Sequence, residues 1–211
     1  MIKVEGQTWF TSDWHLGETR MDLMGRPFSG PEEMFQVILK NYNSVVGDND
    51  VVYILGDVCY KETPEWLARV KEFKGYKILL RGNHDRIFTG TDLKAYFPIV
   101  YSEGLSIAID IEDTKCLLTH YPTLGSIKRF NLVGHIHSAW KYQLNMLNVG
   151  VDVHHFRPVN SNRIKFHINA IKTYYDDDVW VAYNRNNKAW YGHRGRQGSY
   201  AIHFQKYKVI S

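Results

Sequence analysis

Residues 79–85 read Leu-Leu-Arg-Gly-Asn-His-Asp and join an apolar run to a polar segment. Two leucines end an apolar run, a glycine follows one residue later, and three polar residues then stand side by side. Asn, His and Asp in a row suit neither the interior of a strand nor that of a helix. The pattern therefore predicts a buried strand that ends at a turn, where Asn83, His84 and Asp85 lie at the edge of a sheet.

The same arrangement, an apolar run followed by a carboxylate or a histidine, occurs at four other places in the chain. The residues that follow these runs are Asp13 with His15, then Asp57, then His120, and finally His135 with His137. In open α/β sheets, ligands bind beyond the carboxyl ends of the strands. Strand ends of this kind therefore predict one shared site, and the residue types predict that it binds metal.

The candidate ligands offer only oxygen and imidazole nitrogen. They are Asp13, His15, Asp57, Asn83, His120, His135 and His137. This set is too large for one tetrahedral site, and it suits two metal ions that share a bridging ligand. Asp57 can bridge because a carboxylate has two oxygens. Mn²⁺ is the favoured ion, with Mg²⁺, Fe, Zn²⁺ or Ni²⁺ as alternatives.

Several elements of secondary structure follow from local signals. An apolar run at 51–55, a helical segment and a second run at 77–80 form a βαβ unit, which implies parallel strands. Ser29 and Glu32 fit a capping box ahead of one helix, and Thr63 fits the N-cap of the next. Residues 105–119 predict a β-hairpin.

Charge divides the chain near residue 160. Residues 1–160 carry 17 Lys and Arg against 19 Asp and Glu, whereas residues 161–211 carry 9 against 3. We therefore predict a main domain over 1–160 and a small β-rich extension over 161–211, with strands at 165–171, 179–183, 188–191 and 199–210. The extension holds ten of the thirty aromatic residues and could contact nucleic acid, although an ordinary solvated face is the alternative.

Length and cysteine content limit the class of protein. The chain of 211 residues has two cysteines, Cys59 and Cys116, and no CxxC pair, which fits a reducing compartment. The sequence shows no secretory signal and no apolar run of the roughly 20 residues that span a bilayer. We expect a soluble cytoplasmic protein that has no membrane contact.

The ordered blocks resemble the signature of the calcineurin-like metallophosphoesterases. The resemblance covers about residues 7–158, and the segment 13–28 is also similar to small stand-alone bacterial and phage hydrolases of that superfamily. It implies an α/β (α+β) fold, a four-layer β-sandwich flanked by helices. One position departs from the pattern, because many small relatives carry a histidine where this chain has Glu18.

The resemblance also implies a role for each site residue. Asp13, His15 and His137 would hold one metal ion, and Asn83, His120 and His135 the other, with Asp57 as the bridge. A hydroxide between the two cations would attack phosphorus. His84 would be the general acid, and Asp85 would orient its ring.

Arginines in loops on the expected site face are candidate phosphate contacts, since a guanidinium can hold a phosphate through two bonds. The candidate substrate-binding residues are Arg26, Arg81 and Arg86. Asp152 is expected to hold a turn, and Cys59 to pack in the core. The remaining histidines are expected to be surface or structural residues: His154, His155, His167, His193 and His203.

Three functions remain open at this point. The first is a phosphodiesterase acting on a nucleotide, a cyclic nucleotide or a nucleic-acid end. The second is a phosphomonoesterase acting on a phosphoprotein or a small phosphorylated metabolite. The third is a nucleic-acid-binding module with a vestigial site, although a decayed site should have lost at least one ligand.

Overall fold

The computed structural model describes residues 6–61 and 63–174, which form two β-sheets with helices packed against them. The strands are β1 (Thr8–Thr11), β2 (Val51–Ile54), β3 (Tyr76–Leu80), β4 (Ile99–Tyr101), β5 (Ser106–Ile111), β6 (Thr114–Thr119), β7 (Phe130–Val133), β8 (Tyr142–Gln143), β9 (Met146–Asn148) and β10 (Val159–Asn160). The α-helices are α1 (Met21–Met24), α2 (Pro31–Asn43), α3 (Pro64–Ala68), α4 (Gly90–Lys94) and α5 (Ser161–Tyr174). Short 3₁₀ helices span Arg69–Glu72, His84–Ile87, Pro122–Leu124 and Val151–Val153.

The first sheet has the strand order β10-β1-β2-β3-β4. Strands β1 to β4 are parallel, and β10 is antiparallel to β1. Thr11 lies opposite Ile54, and Ile54 lies opposite Leu79, so the carboxyl ends of β1, β2 and β3 are nearly level. The loops that leave these three strands therefore begin side by side, as the predicted βαβ unit requires.

The second sheet has the strand order β5-β6-β7-β9-β8. Strands β5 and β6 form the predicted antiparallel hairpin, whereas β6, β7 and β9 are parallel. Thr119 lies opposite Val133, and Val133 lies opposite Asn148. The second sheet thus also presents level strand ends, and the predicted ligands His120 and His135 follow two of them.

Side chains alternate along the first sheet between two hydrophobic cores. In β1, Trp9 joins the core beneath α2 and α3, whereas Phe10 joins the core shared with the second sheet. In β3, Leu79 likewise joins the first of these cores and Leu80 the second. Each fully buried Leu or Phe contributes about 1.5–3 kcal/mol, so both faces hold the sheet in place. The predicted fold class, two sheets flanked by helices, is confirmed.

The capping interaction of α2 differs by one residue from the prediction. Helix α2 begins at Pro31 with Gly30 as its N-cap, and the N–H and hydroxyl of Ser29 both donate to Glu33. Proline takes the first helical position, which places Glu33, not Glu32, on the third. Glu32 instead pairs with Arg69 beyond the helix.

The prediction of a strand at 165–171 is wrong, because these residues belong to helix α5. Ile164 and Ile168 stand four residues apart and are buried together in the core between the sheets, with Ile171 packed against it. That spacing is helical, but the β-branched side chains also suit a strand. The other strands predicted for the extension lie outside the described residues, and the boundary near residue 160 stays a prediction. Among the described residues, no helix is both long and apolar enough to cross a membrane.

Candidate metal centre

Hydrogen bonds from backbone N–H groups join the loops that follow the strand ends, both within the first sheet and between the two sheets. The N–H of Asp13 donates to the carbonyl of Gly56 at 3.0 Å, and the N–H of His15 donates to the carbonyl of Asp57 at 3.0 Å. The N–H of His135 donates to both carboxylate oxygens of Asp13, each at 3.0 Å. The loop after β7 is thereby attached to the loop after β1, and the two sheets meet at one site.

Candidate ligands share a backbone conformation that is rare for residues other than glycine. The residues with φ between 47° and 74° include Asp13, His15, Asp57, His135 and His137. A left-handed backbone at such residues costs about 1–3 kcal/mol each, and it persists only where the surroundings impose it. Strain of this kind concentrates at functional sites, so the backbone points to the residues that the sequence pattern selects.

Gly82 is required by the close approach of the loops. A Cβ at this position would collide with Asp57 Oδ1, and it would lie 2.7 Å from His120 Cε1. Any larger residue would therefore push the carboxylate and the imidazole apart. The glycine in the Gly-Asn-His-Asp block thus has a steric reason in the structure.

The side chains of the candidate ligands form two groups around Asp57. Ligand atoms within 4.8 Å of one another come from Asp13, His15 and His137 in the first group and from Asp57, His120 and His135 in the second. Asp57 Oδ2 lies 3.4 Å from His15 Nε2 and 3.5 Å from His120 Nε2. The carboxylate that was predicted to bridge therefore stands between the two groups.

Asn83 and His84 complete the cluster. The amide oxygen of Asn83 lies 3.2 Å from His120 Nε2, which places it with the second group. The ring of His84 is 4.7 Å from that of His15, and His84 also forms a third possible group with His15 and Asp57. The structure thus brings together all the predicted ligands and the predicted general acid.

The donor set fits divalent cations. Both ring nitrogens of His15 are buried and make no hydrogen bond among the described residues, although Nε2 lies 3.4 Å from the Asp57 carboxylate. An unsatisfied buried polar group costs about 1–3 kcal/mol, which a cation would remove by taking up a nitrogen lone pair. Carboxylate, amide and imidazole donors without thiolate are typical of sites for Mn²⁺, Fe, Zn²⁺ and similar ions.

Electrostatic contacts fix the charge of the central groups. Burial alone would raise the pKa of Asp57, but contacts with His120 and His15 outweigh burial and hold that pKa well below its usual range. Burial would lower the pKa of His120, yet the contact with Asp57 raises it to about 9. For His135, burial and the neighbouring His120 lower the pKa. An ionised carboxylate therefore stands at the centre of the cluster.

Asp85 has a different role from the one predicted. It is fully buried, and its carboxylate accepts N–H bonds from Gly82, Asp57 and Val58, each at 2.9 Å. These bonds occupy both of its oxygens and fix the loops after β2 and β3. Burial and the charge of Asp57 raise the pKa of Asp85 to about 6. Asp85 therefore positions the backbone that carries Asp57 and does not orient the ring of His84.

Arg26 is a structural residue and not a substrate contact. It is only 4% exposed, and its guanidinium donates to the Trp14 carbonyl at 2.8 Å and to the Asp13 carbonyl at 2.6 Å. It also pairs with Asp152 through Nε at 2.7 Å and Nη2 at 3.0 Å. The predicted role fails because the loop that contains Arg26 folds inward beneath the ligands.

Asp152 belongs to the candidate site, and sequence reasoning missed it. Its Oδ2 accepts a bond from His137 Nδ1 at 3.0 Å, which orients the ring and leaves Nε2 for a cation. Burial alone would raise the pKa of Asp152, but His137 and Arg26 hold it at about 2. Asp152 follows Gly150 just beyond β9, so a carboxylate after a strand end was the signal that could have identified it.

Of the other two arginines predicted to bind substrate, one has a structural role and one is exposed. Arg81 Nη2 donates to the carbonyls of Asp85 at 2.7 Å and Phe88 at 2.9 Å, so it supports the loop and does not face substrate. Arg86 is exposed and pairs with Glu103, which also accepts from Tyr121. A substrate contact for Arg86 stays a prediction.

The histidines that were predicted to be structural, among the described residues, lie outside the two groups of candidate ligands. His154 Nε2 is 2.8 Å from the carbonyl of Asn148, and His167 Nδ1 is 2.7 Å from the Tyr142 hydroxyl. Burial lowers the pKa of His154 to about 3 and that of His167 to about 4. Both rings are therefore neutral in the fold, as expected for structural histidines. His193 and His203 lie outside the described residues.

Comparisons with known proteins agree with this geometry. The chain is 28% identical over 169 residues to protein MJ1445 of Methanocaldococcus jannaschii, covering 74% of this chain and 88% of that protein. It is 38% identical over 81 residues to the Gene 66 protein of Mycobacterium phage L5, covering 37% of this chain and 39% of that protein. The crystal structure of AQ665, a protein of unknown function from Aquifex aeolicus, superposes with a TM-score of 0.60 at 26% identity. That superposition covers 77% of this chain and 99% of the other.

A family model extends the match across nearly the whole chain. It is the model of the calcineurin-like phosphoesterases, and it matches residues 6–197, a range that includes every candidate ligand and both sheets. With two donor groups arranged around one carboxylate and this match, the chain belongs to the calcineurin-like phosphoesterase family.

Proposed function

We propose that this chain is a metal-dependent phosphodiesterase whose substrates are nucleotides, cyclic nucleotides or nucleic-acid ends. The observation that supports it best is the pairing of two donor groups on opposite sides of Asp57, within a phosphoesterase fold. Arg20 is 47% exposed and lies over the ring of Tyr60, which is 6.0 Å from that of His84. A guanidinium at this place favours a substrate with further negative charge, such as a nucleotide.

The chain offers ligands for two cations. Asp13, His15 and His137 would hold one, Asn83, His120 and His135 would hold the other, and Asp57 would contact both. Two bound divalent cations lower the pKa of a water molecule and neutralise negative charge on a phosphoryl group. The oxygen and imidazole donors favour Mn²⁺, with Mg²⁺, Fe, Zn²⁺ or Ni²⁺ as alternatives.

His84 would supply a proton to the leaving oxygen. Its backbone N–H donates to Asp57 Oδ1 at 2.9 Å, so its position is fixed relative to the central carboxylate. Its ring lies beside His15 and is half-buried, and burial lowers its pKa. A positioned acid of this type contributes about 10²–10⁴-fold to the rate.

The supporting residues keep this arrangement rigid. Asp152 and Arg26 hold the ring of His137 from behind, and Asp85 holds the loop that carries Asp57. Because these groups are buried and paired, little reorganisation is needed when a substrate binds.

The first experiment compares two model substrates. The purified protein is assayed with each divalent cation on bis-p-nitrophenyl phosphate, a diester, and on p-nitrophenyl phosphate, a monoester. We expect activity that requires an added cation and a preference for the diester. A clear preference for the monoester would favour a phosphomonoesterase. No turnover with any cation, together with salt-sensitive binding of nucleic acid, would favour the vestigial binding module.

A variant of the central carboxylate tests the paired centre. Asp57→Asn removes the charge between the two groups, so we expect the protein to bind fewer cations and to lose nearly all activity. Metal content is measured by elemental analysis after equilibration with Mn²⁺. Asp110→Asn, on the exposed side of β5, is the matched control. Full turnover and unchanged metal content in Asp57→Asn would contradict the bridging role.

A further inference from the structure

A basic and aromatic group lies at the rim of the candidate site. We call it the Arg20 cluster: Arg20, Tyr60 and Lys61, with Glu18 as its anchor. The residues of the cluster belong to the loops after β1 and β2, which also carry the ligands His15 and Asp57.

Glu18 fixes the direction of Arg20. The carboxylate of Glu18 is fully buried and accepts bonds from Arg20 Nε and Nη2, each at 3.0 Å, and from the Arg20 backbone N–H at 2.8 Å. The Arg20 side chain is itself 47% exposed. Both N–H groups of Nη1, and one of Nη2, have no partner among the described residues. A guanidinium held on one edge by a buried carboxylate thus presents its other edge to solvent.

Tyr60 connects this arginine to the reaction site. The guanidinium carbon of Arg20 lies 4.4 Å from the centre of the Tyr60 ring, and Lys61 Nζ lies 5.0 Å from it. The same ring lies 6.0 Å from that of His84, the proposed general acid. The N–H of Tyr60 donates to the Leu16 carbonyl at 2.9 Å, which fixes the two loops together.

The charge of the cluster favours an anion. Arg20 and Lys61 carry two positive charges against the single negative charge of Glu18, and that carboxylate is turned away from solvent. Lys61 adopts a left-handed backbone with φ 58°, which at a lysine indicates a conformation imposed by its surroundings. Both cations contact the ring of Tyr60, and that ring lies 6.0 Å from the ring of His84.

We propose that the Arg20 cluster binds a second phosphoryl group of the substrate, next to the phosphate that is cleaved. The substrate class is then a phosphodiester with a further phosphate, as in a nucleic-acid strand or a nucleotide with linked phosphates. This inference rests on the phosphodiesterase activity proposed above. It assigns Glu18 as a positioning residue and Arg20 and Lys61 as specificity-determining contacts.

The test compares dinucleotides that differ by one phosphate. The dinucleotide TpT has a single phosphodiester, and pTpT carries an added 5′-phosphate. For the unmodified protein with Mn²⁺ we expect kcat/KM to be about tenfold higher for pTpT, because a charge-assisted contact contributes at least that factor. P¹,P²-dithymidine diphosphate is the second arm, and a greater advantage for it would assign linked phosphates over a nucleic-acid strand.

The variants remove the charges of the Arg20 cluster and do not leave the buried Glu18 carboxylate without its partner. The double variant Glu18→Gln/Arg20→Gln removes the pair together, and Lys61→Asn removes the other cation with a residue that tolerates the left-handed backbone. Both should bring the ratio of kcat/KM between pTpT and TpT down toward one. Arg163→Ala and Lys94→Ala, exposed cations on α5 and α4, should keep the ratio unchanged. Circular dichroism confirms that each variant folds.

Binding measured by calorimetry separates this inference from the proposed activity. If the protein hydrolyses TpT and pTpT equally well, or if the variants keep the advantage of pTpT, the cluster has no such role and the phosphodiesterase activity stands. If neither dinucleotide is hydrolysed, the binding affinities still test the role of the cluster. The unmodified protein should bind pTpT about tenfold more tightly than TpT, and the cluster variants should lose this difference. Equal affinities would overturn the inference.

Discussion

At the scale of single residues, the candidate site combines backbone strain with paired charge. The left-handed conformations of Asp13, His15 and Asp57 aim their side chains inward, and hydrogen bonds from neighbouring loops hold them there. All three side chains are buried, so removing one partner leaves another group buried and uncompensated. Single substitutions here therefore act on the centre as a whole.

The role of His84 can be separated from that of the ligands by substitution. His84→Ala should keep the metal content of the unmodified protein, because the groups on either side of Asp57 do not need this ring. It should lower kcat by about 10²–10⁴-fold on esters with poor leaving groups, and by less on p-nitrophenyl esters, which need little help from an acid. Loss of metal in the variant, measured by elemental analysis, would instead make His84 a ligand.

At the scale of elements, polar side chains join loops that are distant in sequence. Arg26 connects the loop before α2 to the turn after β9, and Asp50 connects the turn before β2 to the start of β1. Neither link can be derived from local pattern, since both depend on which loops meet in space. The predictions for Arg26 and for Asp152 failed for this reason.

Removing Arg26 should destabilise the protein strongly. Arg26→Met keeps much of the side-chain volume but leaves the buried Asp152 with only His137 as a partner, and breaking a buried ion pair costs about 3–5 kcal/mol. Urea denaturation followed by circular dichroism measures the free energy of unfolding. Arg163→Ala, at an exposed site on α5, should change it by less than about 0.5 kcal/mol. A similarly small change for Arg26→Met would refute the structural role.

Asp50 should make stability depend on pH below about 5. Burial would raise its pKa, but N–H bonds from Gly47, Gln7 and the Trp9 indole outweigh burial and lower it. The folded pKa lies below the unfolded value of about 3.9, so this stabilisation is present above that value and is lost as pH falls through the folded pKa.

The substitution Asp50→Asn measures this contribution. The variant should be less stable by about 1–3 kcal/mol at neutral pH, since hydrogen bonds to a charged acceptor are lost. The difference from the unmodified protein should shrink as the pH is lowered from 6 to 3. A difference that stays constant over this range, in denaturant titrations at each pH, would contradict the pKa shift.

At the scale of the whole molecule, the strand-end pattern predicted that these polar residues share one place, and the resemblance to a known family implied the two-sheet architecture that the structure shows. Level strand ends follow from parallel pairing, so polar residues after apolar runs had to converge. Helix α5 was not predicted, because Ile164 and Ile168 suit a strand as well as a helix until their partners in the core are known. Likewise the carboxylate of Asp85 could be read as a partner of His84 only until the loop amides around it were placed.

Helix α5 should contribute to the stability of the sandwich. Ile168 is buried between the sheets at 2% exposure, whereas Phe166 on the same helix is 58% exposed. Ile168→Ala should therefore cost about 2–4 kcal/mol of unfolding free energy, and Phe166→Ala less than about 0.5 kcal/mol. Equal effects of the two substitutions on the urea midpoint would show that the helix does not pack as described.

The candidate ligands come from both sheets, with Asp13, His15, Asp57 and Asn83 beyond the first and His120, His135 and His137 beyond the second. Ions bound among them would stabilise the packing of the two sheets, because the full set of donors exists only when the sheets are packed together. Cation binding would then stabilise the contact between the two sheets as well as support turnover. A chelator would lower both the activity and the free energy of unfolding.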